Sequence, residues 1–422
     1  RLQEINEAFE NNASDFGRKL YLIENCIYGV DIQPIAVQIS KLRFFISLLV
    51  DQIENPKLEN RGIRALPNLE TKFVAANTLL RLQKPESSDI RHPKLDTLES
   101  ELDSIRKVYF RPKTYKQKMW AQFQYKKIQK EISDLMIESG WGSQAAQKMV
   151  EFDLFDQMAS AEWFDSELML GVKNGFDVVI GNPPYIRADN PEIAELRRVI
   201  LSSKDYHSLW EKWDIYVAFL ERGYQLLNRK GKLSFIIPDA YMASKYALKS
   251  HQFFLKNSVI ERIDFCSKVK IFDAKVRNII ILFSRLINPD SSPKRIIRVD
   301  TFENYSELQT VKQSELGVKC FTLDKTASDE IAFAESINWE NICYVSVGLV
   351  LQSEEKLYKG EFVKEDLISD QRDKLHPKEY VEAKWIKRFN LEKTKFLEWG
   401  SDRVPSKIRR ATFPELYECT KI

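Results

Sequence analysis

Four consecutive residues, Asn182-Pro183-Pro184-Tyr185, combine types that could activate a nitrogen nucleophile. The two prolines fix the backbone and remove two amide donors, leaving carbonyl acceptors with little conformational freedom. Asn182 adds a side-chain carbonyl and Tyr185 an aromatic face. An amino group conjugated to a purine ring is a poor nucleophile because its lone pair is delocalised. Two acceptors, the Asn182 side-chain oxygen and the Pro183 main-chain carbonyl, would take both of its N–H hydrogens and favour a pyramidal nitrogen aimed at an electrophilic methyl group. That is positioning plus stabilisation of charge that grows on nitrogen in the transition state. A proline-rich turn after a strand is the plain alternative.

The tetrapeptide follows Phe176-Asp177-Val178-Val179-Ile180, a buried strand closed by Gly181. In an open α/β sheet ligands sit beyond the carboxyl ends of the strands, so the motif stands where chemistry belongs. Upstream, the apolar run Leu20 to Val30 stops on Asp31 and predicts a strand, and Ala36 to Val50 has helical spacing. Thr71 to Ala76 predicts a second short strand, running into Asn77-Thr78. Downstream, Asp214 to Leu227 predicts a helix, and Leu233 to Ile237, Val259 to Phe265 and Asn278 to Phe283 predict strands. Strands alternating with helices imply an α/β fold with a parallel-type sheet covered on both faces. Residues 81–170 are rich in Lys, Glu, Gln and aromatics with apolar residues every three or four, a helical insertion. A break follows at Asn288-Pro289-Asp290-Ser291-Ser292-Pro293. The less regular pattern beyond about 336 predicts the start of a second domain.

The 422 residues suffice for two or three domains, and 44% hydrophobic with 30% charged residues is the balance of a globular protein. Lys and Arg number 64 against 61 Asp and Glu, so net charge alone does not argue for a polyanionic partner. Five cysteines without a CxxC pair and four histidines offer no zinc-ligand spacing, fit reduced thiols in a cytoplasm, and imply no metal. No apolar run approaches the roughly 18 residues a membrane span requires. The start, Arg1-Leu2-Gln3-Glu4, has neither Met nor a signal core and reads as an internal cut in a longer protein.

Asn-Pro-Pro-Tyr after Phe-Asp-Val-Val-Ile-Gly resembles the catalytic motif of amino-group DNA methyltransferases in the N6-adenine form. The resemblance implies a Rossmann-like methyltransferase sheet, S-adenosylmethionine as cofactor and double-stranded DNA as substrate. It assigns catalysis to Asn182, Pro183, Pro184 and Tyr185, and implies that the target base is flipped from the duplex and stacked between Tyr185 and Phe272. Tyr28-Gly29-Val30-Asp31-Ile32 is similar to the motif whose acidic residue bonds the cofactor ribose and whose apolar neighbour packs on its adenine, so Asp31 and Ile32 take those roles. A helix cap is the equal alternative for Asp31. Asn77, with Thr78, stands where the family often has an Asp that bonds the adenine amino group, with a turn-forming Asn as the bland reading. Lys270 to Val276 resembles the late motif that contributes Phe272. The family's glycine-rich cofactor motif has no counterpart in residues 1–27, whose one glycine is Gly17; truncation is the favoured explanation.

Between Ser104 and Lys130 lie nine basic residues and no acidic one, interleaved with aromatics. Arg106, Lys107, Arg111, Lys113, Lys116 and Lys118 are the candidate DNA contacts, against a solvated helix face with aromatics turned inward. The tail from Tyr344 to Val350 onward is similar to the opening of a target-recognition domain, with Lys384 to Arg388 and Arg409-Arg410 as candidate phosphate contacts. The expected organisation is therefore 1–80 first part of the methyltransferase domain, 81–170 insertion, 171–335 remainder, and 336–422 start of target recognition. Motif order most resembles single-chain (type IIG) restriction-modification methylases and related methylases of phage-exclusion systems, which implies restriction or defence subunits as further partners. Three alternatives remain: a protein glutamine methyltransferase, a DNA-sensing subunit without catalysis, and cytosine N4 as the methylated atom.

Overall fold

The computed structural model describes residues 15–82, 93–266, 269–273, 276–285, 293–301, 304–312, 349–351, 360–387 and 390–408. The chain forms two compact units, Arg1–Ser328 and Asp329–Ile422.

The first unit opens with helix α1 (Asp15–Asn25), strand β1 (Gly29–Asp31), helix α2 (Pro34–Val50) and strand β2 (Phe73–Ala75). The run expected as one strand over Leu20–Val30 divides, and only Gly29–Asp31 is strand. Spacing explains the difference: Phe16, Leu20 and Ile23 recur at helical intervals and all are buried. Strands β1 and β2 are parallel, with Gly29 opposite Phe73 and Asp31 opposite Ala75. Successive residues of β2 face opposite ways and both faces are covered. Phe73 and Ala75 pack with Phe16, Leu20, Val37 and Leu48, while Val74 and the following Ala76 pack into the insertion.

The insertion is helical as expected, with α3 (Pro93–Phe110), α4 (Tyr115–Glu138), α5 (Ser143–Glu151) and the short α6 (Ser166–Leu170). Thr114 caps α4 by accepting from the Gln117 amide at 3.2 Å, and Asp165 caps α6 through the Glu167 and Leu168 amides. Leu102, Tyr109, Ile128, Ile132 and Met149 form its core. Phe110, at the end of α3, joins the cluster of α1 and α2 instead, so the insertion is packed into the unit and not appended to it.

A six-stranded sheet follows, built from β3 (Phe176–Gly181), β4 (Leu227–Pro238), β5 (Ser258–Phe265), β6 (Asn278–Arg285), β7 (Pro293–Thr301) and β8 (Asn304–Lys312) in the order β3-β4-β6-β5-β7-β8. Helices α7 (Ala194–Ser203), α8 (Ile215–Gln225) and α9 (Leu248–Asn257) connect the first strands. The sheet is mixed, not parallel as expected: β3–β4 and β5–β7 are parallel, whereas β6 is antiparallel to both β4 and β5, and β8 to β7. A parallel crossover needs a long connection, usually a helix. The segment 266–277 is short and holds no helix among the described residues, so β6 returns antiparallel. Leu233, Phe235, Ile237, Ile260, Ile279, Ile281 and Phe283 form the core of this sheet with Trp213, Tyr216 and Leu220.

In the second unit the described strands are β9 (Ile368–Ser369), β10 (Lys378–Tyr380), β11 (Ile386–Lys387), β12 (Asn390–Leu391) and β13 (Lys395–Leu397). They make an antiparallel sheet of order β10-β13-β9, whose Leu397 joins a core with Phe362, Leu367 and Val404, and a separate, exposed β11–β12 pair. Lys384 pairs with Glu382 at 2.8 Å. Arg388, Arg409, Arg410 and Tyr344 to Gly348 lie outside the described residues, as does the expected break from Asn288 to Ser292, while its last residue, Pro293, begins β7. No described helix is long and apolar enough to cross a membrane.

Lys72 holds its ammonium 4.2 Å from the Tyr28 ring centroid. Burial pushes its pKa from 10.5 down to about 8, against an opposing pull from Glu24. Between those two values the unfolded chain keeps a proton that the folded chain has released, so this group makes stability rise with pH across the window. Denaturant titrations at about pH 7 and about pH 9 should show the parent gaining stability relative to Lys72→Met as pH rises, with the variant the more stable at the lower pH. Identical pH dependence of the two proteins would contradict the assignment.

Candidate active site

Strand β3 delivers the Asn-Pro-Pro-Tyr turn at its carboxyl end. Asn182 is exposed, Pro183 buried, Pro184 exposed and Tyr185 half-buried. Among the described residues nothing hydrogen-bonds to the Asn182 side chain or the Pro183 carbonyl, which leaves two acceptors side by side at one chain position. The chain beyond them is clamped. The Ile215 amide donates to the Ile186 carbonyl at 3.1 Å and the Ala188 amide to Asp214 Oδ1 at 3.0 Å. The second oxygen of Asp214 accepts from the Tyr246 hydroxyl at 2.9 Å, and Tyr246 meets the Tyr216 hydroxyl at 2.8 Å. Asp214 precedes α8, so a residue in the place of a helix cap spends its carboxylate on the motif's continuation.

Tyr185 is anchored at its far end. Its hydroxyl donates to the Ile236 carbonyl at 3.1 Å and accepts from Asn278 Nδ2 at 3.0 Å. Burial pushes its phenol up to about 12, with the Asn278 bond acting the other way, so it stays protonated at neutral pH. The ring of Phe272 lies 6.4 Å away at 78°, and that of Tyr216 6.5 Å away at 79°. The two rings expected to enclose a base are thus neighbours, in an edge-to-face relation rather than as parallel walls. Ala274 and Lys275 of the same segment lie outside the described residues. Asn278 and Asp214 were not among the expected site residues. The available signals were a lone polar residue opening an apolar strand, and an Asp ahead of a helix.

The residues expected to hold the cofactor share one end of the β1–β2 pair, where the Ala76 amide donates to the Asp31 carbonyl at 2.8 Å. Asp31 is exposed and its Oδ1 accepts from the Gln33 amide at 2.8 Å, with no bond to Oδ2 among the described residues. Ile32 is 57% exposed, an apolar surface of the kind an adenine ring covers. The Asn77 side chain makes a local turn, its Oδ1 accepting from the Leu79 amide at 3.1 Å, and retains a second lone pair. The Thr78 carbonyl accepts from Arg222 Nε at 2.7 Å. These acceptors beside an exposed apolar side chain fit the hydroxyls, amino group and ring of the adenosine half of S-adenosylmethionine. Ile32 and Asn77 also line a cavity of about 1340 Å³ with Trp163, Asp165, Leu196 and Val199, whereas Asn182 to Tyr185 and Phe272 are not in its wall.

The basic stretch of the insertion sorts by burial. Arg106 is buried, bonded to Asp103 Oδ1 at 2.6 Å and the Leu168 carbonyl at 2.5 Å, and it packs over the Tyr125 ring. A guanidinium held this way serves the core of the insertion and does not reach phosphate, which corrects its place among the DNA contacts. Arg111 pairs with Glu24 at 2.7 Å, and Lys118 donates to Asn68 at 2.7 Å. Lys107, Lys113 and Lys116 are exposed. Tyr109, Phe110 and Tyr125 turn inward, while Tyr115, Trp120 and Phe123 are 75%, 49% and 65% exposed.

Comparison with known proteins finds the profile of the family described as Eco57I restriction-modification methylase over residues 25–272, more than half of the chain. The type II restriction enzyme and methyltransferase RM.Eco57I of Escherichia coli is 25% identical over 177 residues, covering 40% of this chain and 17% of that protein. The type II methyltransferase M.BstVI of Geobacillus stearothermophilus is 26% identical over 155 residues, covering 37% of this chain and 26% of that one. The matched part is thus at most about a quarter of either relative's length. Among solved structures, the type IIL restriction-modification enzyme MmeI in complex with DNA aligns at a TM-score of 0.31 and 13% identity, over 74% of this chain and 38% of that chain.

The burial of Arg106 separates its role from that of its exposed neighbours. Arg106→Ala should cost roughly 2–4 kcal/mol of stability, between the loss of a charged hydrogen bond and a broken buried pair. Lys107→Ala should stay within about 0.5 kcal/mol of the parent. Denaturant midpoints measure both, and equal midpoints for the two variants would refute the distinction.

Proposed function

Because the chain belongs to the Eco57I restriction-modification methylase family, we propose that it methylates adenine at N6 in duplex DNA, using S-adenosylmethionine and a base swung out of the helix. The carrying observation is the pair of unengaged acceptors, Asn182 Oδ1 and Pro183 O, at the end of β3 and next to an anchored aromatic ring.

When bound, the cofactor supplies an electrophilic methyl group on a sulfonium. Asn182 and Pro183 accept the two N6 hydrogens and hold the nitrogen lone pair toward that carbon. As the nitrogen–carbon bond forms, the bond from that carbon to the sulfonium sulfur breaks and sulfur would leave as a neutral thioether; positive charge grows on nitrogen, and the two carbonyl dipoles, already oriented, lower its energy. The surplus proton then leaves to water. Tyr185 stacks on the extruded base, and Phe272, on the connection between β5 and β6, turns from its edge-on position to cover the other face. Each such stack contributes about 1–3 kcal/mol against the cost of unstacking. Asp31 holds the ribose of the cofactor, and Ile32, Asn77 and Thr78 surround its adenine. Asn in the first and Tyr in the fourth position of the motif favour adenine over cytosine.

Lys107, Lys113 and Lys116, with the exposed Tyr115, Trp120 and Phe123, form the surface that tracks phosphates, and the second unit contributes to target recognition. Restriction or phage-defence subunits in the cytoplasm are the further partners this reading implies.

Incubating the intact protein with methyl-labelled cofactor and unmethylated DNA, then hydrolysing the DNA, should place the label on N6-methyladenine. Label on N4-methylcytosine would overturn the choice of base, and label in protein alone the choice of DNA. Asn182→Ala should lower the rate about 10²–10³-fold while DNA affinity is unchanged. Replacing Lys107, Lys113 and Lys116 together by Ala should flatten the dependence of log affinity on log salt by roughly 0.9 for each phosphate that is no longer neutralised. An unchanged slope would remove this face from the DNA interface.

A further inference from the structure

We infer that Asn278 is a positioning residue that fixes the plane of the Tyr185 ring for base stacking, acting through the tyrosine hydroxyl; this rests on the function proposed above. Asn278 opens β6, opposite Pro238 at the end of β4, and is 3% exposed. The residues after it, Ile279-Ile280-Ile281-Leu282-Phe283, are all apolar. Asparagine is disfavoured in strands, and a buried amide costs free energy unless it is bonded. A residue that breaks the local rule at this position is expected to act on something nearby.

Its side chain meets one hydrogen-bond partner among the described residues, the Tyr185 hydroxyl at 3.0 Å. Its main-chain carbonyl accepts from the Cys266 amide at 3.0 Å, a bond that any residue would make. The chemistry of the side chain is specified by the second bond of the tyrosine. The single hydroxyl proton of Tyr185 is committed to the Ile236 carbonyl at 3.1 Å, so the other neighbour must donate. An amide nitrogen can do so and a carboxylate cannot.

The two anchors stand on β4 and β6, adjacent strands of the sheet, while the tyrosine backbone leaves the end of β3. The ring is therefore held at both ends and cannot swing. Burial keeps the phenol neutral, which preserves both bonds. Asn278 lies behind the ring, at its hydroxyl, and does not meet the substrate. Its effect passes through pre-organisation of the stacking face.

The test is a double-mutant cycle in the intact protein, with methyl transfer to unmethylated DNA as the readout. Asn278→Ala and Tyr185→Phe should each lower kcat about tenfold, the scale of one lost hydrogen bond at a buried site. DNA affinity should be unchanged in both. The double variant should be no slower than either single one, because both remove the same bond. Asn278→Asp, close in shape but lacking the donor, should match Asn278→Ala in both backgrounds and serves as the cycle's partner if the alanine variant does not fold. Equal further loss from the Asn278 substitutions in the Tyr185→Phe background would show a general structural role and overturn the inference. A parent that labels DNA while the cycle is additive overturns only the role of Asn278. A parent that labels no DNA overturns the functional reading and this role with it.

Discussion

Strand β6 runs antiparallel between β4 and β5, and its first residue therefore lies at the carboxyl ends of those neighbours. That reversal governs the rest of the site. It sets Asn278 opposite Pro238 and close enough to Ile236 for one phenol to bond to both strands. It also leaves Phe272 on the connection beside Tyr185, although nearly ninety residues separate the two in sequence. A helical crossover between β5 and a parallel β6 would start β6 at the opposite end of the sheet and deprive Tyr185 of its donor. The constraint is elementary: a short connection turns the chain back, and a chain that turns back ends where it left.

Much of this was legible in the sequence. The strand before Asn182 and the following turn needed only an apolar run and two prolines, although the strand is not buried as expected, Val178 and Ile180 being 59% and 76% exposed, and the helices within residues 93–170 were recognisable from their spacing. Two features were not. The direction of β6 depends on what the connection can span in three dimensions, and alternation of strands with helices points to a parallel sheet instead. The stretch Leu20 to Ile23 reads as apolar along the chain, but only its spacing from Phe16 reveals the helical periodicity. The mutual angle of Tyr185 and Phe272 and the bonds of Asp214 and Asn278 belong to packing between segments distant in sequence, which local pattern does not encode.

The basic stretch of the insertion shows the same division between composition and placement. Nine cations between Ser104 and Lys130 look alike in a sequence, yet the fold assigns them different physics. Arg106 lies in the interior with a carboxylate and a carbonyl, where its charge is part of the insertion's own packing. Lys118 ties α4 to Asn68, and Arg111 ties the end of α3 to Glu24 of α1. What remains exposed and without such a tie is a smaller set of lysines, Lys107, Lys113 and Lys116, near three exposed aromatics. Burial, not charge count, decides which groups retain the freedom to meet a ligand.

The proposed chemistry requires Asn182 Oδ1 and Pro183 O to receive the amino group of an extruded adenine. A structure of the intact protein bound to DNA and a non-reactive cofactor analogue tests it most directly. Adenine N6 should then lie about 2.7–3.2 Å from both oxygens, with the base flat against Tyr185. A target adenine still stacked in the duplex, or an extruded base whose amino group faces away from both acceptors, would contradict it.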